Sequence, residues 1–255
     1  MAHEDKQGAV AEGFRTIRTS LLFSSPDRPV RTLLITSPYA SEGKTLVAIN
    51  LAITIAQSGA RVVLVDADMR KPRLHQVFQQ TPLRGLSHAL TGSENPIEFV
   101  TQTHIENLSV LFCGPIPPTP SEMAGSQKMR QLTAQLREHF DYVIFDSPPF
   151  MAVTDPVVLS TIVDGVIIVT RYNKTPREAL FHGKNRFQEV QAKIVGVIIN
   201  GVNLDSERYR YPTYAYDQTA AKKGLKDTLS SVEEAQVISK YASGISPKDS
   251  FHLPE

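Results

Sequence analysis

The sequence predicts an α/β fold: a mostly parallel sheet with helices on both faces. Three observations carry this. Short β-branched runs alternate with helical stretches along most of the chain. Several runs, Val62-Val-Leu-Val65 and Val166-Ile-Ile-Val169 among them, are apolar without interruption, as strands buried on two sides must be. A Gly43-Lys44-Thr45 turn joins the first such run to the first long helical stretch, the position of a phosphate-binding loop.

Taken in order, the expected strands are Thr32–Thr36, Val62–Asp66, Leu108–Phe112, Tyr142–Asp146, Gly165–Thr170 and Ile194–Asn200. Before them, Glu12, Arg15 and Arg18 recur at i, i+3 and i+6 on an N-terminal helix of about residues 9–23. By itself that spacing describes a solvated helix with an internal Glu12–Arg15 pair. Between the strands, helices are expected at about Lys44–Ser58, Ser121–Phe140, Asp155–Ile162 and Pro176–Gln191, with Ser121 as an N-cap and Pro176 in a first turn. Gly114-Pro-Ile-Pro-Pro-Thr-Pro120 reads as a stiff connector. The organisation is one domain over residues 1–205, followed by residues 206–255. That second segment holds Tyr209, Tyr211, Tyr214 and Tyr216, four of the chain's eight tyrosines, and a weakly helical tail of mixed charge. The tyrosines alternate as one face of an edge strand would, but Pro212 between them opposes a regular central strand.

Composition narrows the function classes. With 255 residues, 41% hydrophobic content and a net charge of +1, the chain can fill one α/β core. Charge makes no case for nucleic acid or a membrane surface. The single cysteine, Cys113, excludes an intramolecular disulfide framework and fits a reducing compartment. No apolar run approaches the ~20 residues that span a bilayer, and the polar start is not a signal peptide. The chain therefore reads as cytoplasmic, either whole or as the soluble part of a longer membrane protein.

The chemistry concentrates in Thr36-Ser-Pro-Tyr-Ala-Ser-Glu-Gly-Lys-Thr45. In such a loop, backbone N–H groups surround phosphate oxygens, the lysine bridges the β and γ groups, and the hydroxyl ligates Mg²⁺. Pro38 stands where the first glycine of the usual pattern would be. Two later strands end in carboxylates, Asp66 and Asp68 after Arg61-Val-Val-Leu-Val, and Asp146 after Tyr142-Val-Ile-Phe. In an open parallel sheet the carboxyl ends of neighbouring strands line one crevice, so the three aspartates are expected to converge on the phosphate loop. The competing use of each is a helix or turn cap.

Ser41-Glu-Gly-Lys-Thr45, Val63-Leu-Val-Asp-Ala-Asp-Met-Arg-Lys-Pro72 and Phe140-Asp-Tyr-Val-Ile-Phe-Asp-Ser-Pro-Pro149 together resemble the Walker A, Walker A′ and Walker B set of bacterial tyrosine kinases. These BY-kinases are P-loop NTPases of the MinD/ParA-like superfamily that serve exopolysaccharide and capsule production. Glu12-Gly-Phe-Arg-Thr-Ile-Arg18 resembles their oligomerisation motif, and Pro120-Ser-Glu122 their Pro-Ser-Glu helix start. The likeness covers about residues 9–216.

The resemblance implies ATP and Mg²⁺, with Ser41, Glu42, Gly43, Lys44, Thr45 and Leu46 around the phosphates and Asn200 at the adenine. It implies catalytic roles for Lys44, Asp66, Asp68 and Asp146 and metal contacts from Thr45, Asp66 and Asp146. Asp66 and Asp68, in either division of labour, would orient or deprotonate a tyrosine hydroxyl. It further implies a ring-like homo-oligomer joined through the Glu12, Arg15 and Arg18 helix. In the ring, Tyr209, Tyr211, Tyr214 and Tyr216 of one chain would be phosphorylated in the site of the next. A transmembrane activator, a polysaccharide co-polymerase that is either a separate chain or fused upstream, would recruit the chain to the inner face of the membrane. Nucleic acid has no part in it.

Two departures stand out. Ser41 replaces a family glycine, which restricts φ, and the chain runs on from Tyr216 to Glu255 with a further tyrosine, Tyr241. The alternative function is a MinD/ParA-type ATPase switch without tyrosine kinase activity. Its loop carries a signature lysine at the position of Tyr39 here. A catalytically weak interaction module is a third reading.

Overall fold

The computed structural model describes residues 8–23, 29–92 and 94–202. The segment holding Tyr209, Tyr211, Tyr214 and Tyr216, and the tail to Glu255, lie outside the described residues.

Among the described residues seven strands form one sheet: β1 (Thr32–Thr36), β2 (Val62–Asp66), β3 (Thr101–Gln102), β4 (Leu108–Leu111), β5 (Tyr142–Asp146), β6 (Gly165–Arg171) and β7 (Ile194–Asn200), in the order β3-β4-β2-β5-β1-β6-β7. Every pairing is parallel except that of β3 with β4. Strands β1, β2, β5 and most of β6 are buried along their length, which accounts for their unbroken apolar sequences. The short antiparallel β3 was not expected. Its residues Thr101 and Gln102 are exposed, so it carries none of the apolar signal by which the other strands are recognised.

One face of the sheet is covered by α1 (Ala9–Phe23) and α2 (Lys44–Ala56), with Leu33, Ile35, Leu51, Leu64 and Ile144 in the core between them. Phe14, Ile17 and Leu21 of α1 pack on this layer. The short α3 (Leu74–Val77) joins this layer through Leu74. On the other face lie α4 (Leu86–Thr91), α5 (Pro120–Ala124), α6 (Gln127–His139), α7 (Asp155–Leu159) and α8 (Arg177–Glu189). Leu34, Val65, Phe145, Phe150, Ile168 and Phe187 fill that second layer. Each such fully buried side chain is worth roughly 1.5–3 kcal/mol.

The helix expected over Ser121–Phe140 is two helices. Gly125 ends α5, and Ser126 takes extended backbone and caps α6, its side chain accepting the N–H of Met129. The N-cap of α5 is Thr119, with Pro120 in the first turn. Ser121 is therefore not a cap, and its hydroxyl is used elsewhere, as described below. Pro176 is itself the N-cap residue of α8, one position outside the first turn. Arg31, entering β1, donates to the carbonyls of Arg137, Phe140 and Asp141, tying the end of α6 to the sheet.

Candidate active site

Strand register brings the acidic strand ends together. Asp66 and Asp146 are direct neighbours at the carboxyl ends of β2 and β5, and Asp146 is level with Ile35 at the end of β1. The loop after β1 then turns into α2. The crevice expected from an open parallel sheet is thus formed by β1, β2 and β5.

Around it, Lys44 Nζ lies 3.2 Å from Asp68 Oδ2 and 3.9 Å from Asp146 Oδ1. Thr45 Oγ1 donates to Asp146 Oδ2 at 2.6 Å. Asp68 Oδ1 accepts the N–H of Lys71. Asp66 Oδ2 accepts the N–H groups of Arg73 and Leu74, so part of its capacity caps the start of α3. Of the two uses weighed for these aspartates, the capping one is therefore present at Asp66. Asp66 Oδ1 and Asp146 Oδ1 are buried without a hydrogen-bond partner among the described residues.

The electrostatics follow from that burial. Burial pushes the Asp66 carboxyl up to about 8, helped by the charge of Asp146 and opposed by the N–H of Leu74. Asp146 is raised by burial too, against the pull of Lys44 and of the Thr45 hydroxyl. Burial works against the charge on Lys44, yet Asp146 and Asp68 beside it raise its pKa on balance. A site with excess negative charge and one shared cation is primed to accept a further cation.

The loop itself has no side-chain cap at the start of α2, since Gly43 is the N-cap residue. Among the described residues no acceptor is hydrogen-bonded to the N–H groups of Gly43, Lys44, Thr45 or Leu46. That leaves a first helical turn of free donors, which fits a phosphate. The hard oxygens of Thr45 and Asp146, one of them unpartnered, fit Mg²⁺. Among the described residues no cluster of three or more carboxylate, imidazole or thiol groups is able to hold a metal alone. The ion would complete its shell with water and phosphate oxygens, as Mg²⁺ usually does.

Sequence reasoning did not foresee how the loop is held. Ser41, in the place of the family glycine, has φ 63° and Gly43 has φ 92°. The serine conformation costs roughly 1 kcal/mol and is held by its neighbour. The Glu42 carboxylate is buried and accepts the N–H of Tyr39 and the hydroxyl of Thr175. Thr175 Oγ1 in turn accepts the N–H of Arg171 at the end of β6. Asn200 Nδ2 donates to the Glu42 carbonyl at 3.0 Å. Glu42 and Asn200 thus fasten the loop to β6 and β7, and Tyr39 stands exposed above it.

A second network steadies the segment after β2. Arg70 forms two hydrogen bonds to Asp155, at 2.9 and 3.3 Å, and a third to Ser121 Oγ, which donates to Asp155 Oδ1 at 2.6 Å. Asp155 is buried. The sequence marks Asp155 only as a helix start before Pro156, and no spacing signal links it to Arg70 or Ser121. On α1, Arg15 pairs with Glu12 at 2.6 Å, whereas Arg18 donates to the Thr54 carbonyl of α2 at 3.0 Å. The three oligomerisation candidates therefore do not form one outward patch in the single chain.

A family model described as ParA, NUBPL iron-transfer P-loop NTPase, matches residues 30–238. The tyrosine-protein kinase YwqD of Bacillus subtilis is 37% identical over 206 residues, 81% of this chain and 85% of that one. The tyrosine-protein kinase wzc of Salmonella typhi is 32% identical over 83% of this chain but only 30% of its own length. Among solved structures, the kinase domain of the Escherichia coli tyrosine kinase ETK has a TM-score of 0.76 at 32% identity, covering 79% of each chain. The septum site-determining protein MinD of Pyrococcus horikoshii, complexed with Mg-ADP, has a TM-score of 0.60 at 21% identity and shares the fold, with coverage of 82% of this chain and 76% of that one. The chain belongs to the ParA-like P-loop NTPases, among the bacterial tyrosine kinases.

Proposed function

We propose that the chain is an ATP-dependent protein tyrosine kinase that autophosphorylates Tyr209, Tyr211, Tyr214 and Tyr216, between subunits. The observation that carries the reading is the meeting of Lys44, Thr45, Asp68 and Asp146 beside a helix start with free N–H donors. Phosphoryl transfer asks a protein for little beyond positioning and charge neutralisation.

Each residue then has a task. The N–H groups of Gly43 to Leu46 hold phosphate oxygens, and Lys44 leaves its carboxylate partners to spread its charge over the β and γ groups. Thr45 and Asp146 hold Mg²⁺, which when bound offsets the charge of the transferring group. Asn200 fixes the loop from the adenine side. The tyrosine oxygen attacks the γ-phosphorus, its bond to the β–γ bridging oxygen breaks, and ADP departs. Asp68, or Asp66 once it has given up its own proton, takes the phenolic proton. A phenol of pKa ~10 gives it up late in a loose transition state, so an ordinary carboxylate suffices.

In this reading Glu12, Arg15 and Arg18 join chains into a ring, as a heterologous contact requires two different surfaces per subunit. Arg15 and Arg18 would exchange their present partners for a neighbour's groups. A transmembrane co-polymerase, separate or fused upstream, would bring the ring to the inner face of the membrane, where it regulates exopolysaccharide or capsule synthesis or export. No helix among the described residues is long and apolar enough to cross a membrane, so the membrane contact is assigned to that partner. Each phosphotyrosine adds ~1.5–2 negative charges, unwelcome beside three aspartates, so phosphorylation loosens the ring.

The test is incubation of the purified chain with ATP and Mg²⁺. Phosphate on Tyr209 to Tyr216 that disappears in Lys44→Met supports the kinase. ATP hydrolysis with no phosphotyrosine would assign the chain to the ATPase switches instead.

A further inference from the structure

Strand β7 is apolar on both faces, Ile194-Val-Gly-Val-Ile-Ile199, yet one face is only half-buried and the other is largely exposed. Val195 and Ile198 pack on the layer beneath α1 and α2. On the other face Val197 and Ile199 are 48% and 56% exposed, next to Phe181 of α8 at 65%. Between α8 and β7 runs a groove of about 620 Å³, with Leu180, Phe181, Ile194 and Val197 among its apolar walls and Arg177 and Lys184 along α8. Among the described residues no carboxylate pairs with either cation. A strand of this composition is expected to be buried on both sides, and an exposed apolar patch of this kind marks a docking surface.

We propose that the groove is the docking site of this chain's own C-terminal segment, Thr219–Tyr241, in the same molecule. Three observations select it over other occupants. Leu225, Leu229 and Val232 recur at i, i+4 and i+7, the spacing of one apolar helical stripe. Glu233 and Glu234 follow directly, while Lys222, Lys223 and Lys226 lie before or beside Leu225, so the Val232 end of the stripe is the one that supplies acidic partners for Arg177 and Lys184. The family match continues to residue 238, well beyond the end of β7, so most of this segment falls within the length that the family shares. Reach is ample: the residues between Val202 and Leu225 extend up to ~75 Å, and the return along β7 is only ~20 Å.

The docked segment holds residues 203–224 at both ends. Under the function proposed above, which only this consequence rests on, Tyr209 to Tyr216 are presented as a tethered loop rather than on a free tail. The run of chain to Glu255 is then an anchor for the cluster.

The chain contains no tryptophan, so Phe181→Trp places a single reporter in the groove. Its emission maximum is expected at shorter wavelength in the full chain than in a chain ending at Gln218. Leu229→Asp in the full chain should give the same red shift as truncation, and a synthetic peptide of residues 219–241 should reverse it saturably in the truncated chain. Equal emission from full and truncated chains, with no response to the peptide, overturns the proposal. A blue shift that fades on dilution assigns the groove to a second copy and overturns it equally. As a readout free of substitution, deuterium uptake over residues 194–200 should be slower in the full chain; equal uptake counts against docking. None of these measurements depends on kinase activity, so their failure and that of the kinase reading are separate.

Discussion

Gly43 and Asn200 interlock: a Cβ on Gly43 would lie 2.0 Å from Asn200 Nδ2, while that same amide donates to the Glu42 carbonyl. The end of β7 therefore touches the phosphate loop through this one side chain. A Cβ here would have to displace the Asn200 amide from its hydrogen bond, at a backbone angle that glycine adopts without strain.

Gly43→Ala should consequently lose at least tenfold in ATP affinity and about 1–3 kcal/mol in stability, by the strain of φ 92° together with the clash. Asn200→Ala alone should cost less. Combining the two should recover part of the Gly43→Ala loss, because the clash is removed and the strain is not. Isothermal titration with ATP and thermal melts of the four proteins form the cycle that checks this.

Glu42→Ala removes the acceptor for the Tyr39 N–H and for the Thr175 hydroxyl. Both groups sit around a loop whose Ser41 holds a left-handed conformation. The expected result is several-fold weaker nucleotide binding with a melting temperature lowered by a few degrees, as for loss of about 1–2 kcal/mol. Glu42→Gln keeps one acceptor oxygen and should fall between. Equal nucleotide affinity in all three proteins would show that the loop needs no such fastening.

Asp66 sets a pH dependence whose sign is definite. Its folded pKa, about 8, lies above the unfolded value, so the folded chain binds the extra proton between roughly pH 4 and pH 8. The nucleotide-free protein is therefore stabilised at the acid end of that window and loses this contribution as pH rises through it. Asp66→Asn cannot ionise and can still accept the N–H groups of Arg73 and Leu74. At pH 8 it should be more stable than the parent by roughly 1–3 kcal/mol, with the difference shrinking towards pH 5. Urea unfolding at the two pH values reads it directly. Phosphotyrosine formation should fall in the same variant.

Arg70→Ala strands the buried Asp155 carboxylate with Ser121 as its remaining partner. Loss of one partner of a buried pair destabilises, here by about 2–3 kcal/mol since Arg70 keeps one side in water. Arg70 follows Asp68 by two positions, and Asp68 accepts the N–H of Lys71. The rate of autophosphorylation should therefore fall more than ATP binding does. Arg70→Lys, with a point charge in place of a fork, should restore stability better than rate.

Much of the fold was legible in the sequence because its strands are buried on two faces. Residues 62–66 and 165–170 had no polar alternation to confuse the assignment, and Gly43-Lys44-Thr45 marked the turn into α2. Less legible was whatever depended on exposed or short elements. Thr101–Gln102 pairs with β4 through backbone alone, and the break at Gly125-Ser126 was masked by helix-favouring residues on both sides.

The residue types by themselves determined the phosphate loop, the two acidic strand ends with their three carboxylates and the apolar layers, since each follows from a local pattern: a glycine before Lys44, a carboxylate after an apolar run, or a period of burial. Tertiary structure alone decided which of these groups meet. Strand order put Asp66 beside Asp146, and the end of β7 gave Asn200 its hold on Glu42. The same packing took Arg18 on to α2 and joined Arg70, Ser121 and Asp155 from three separate segments. Hydrogen bonds between residues far apart in the chain leave no periodic trace, because their spacing is set by how the layers stack and not by the turn of any one helix or the pleat of any one strand.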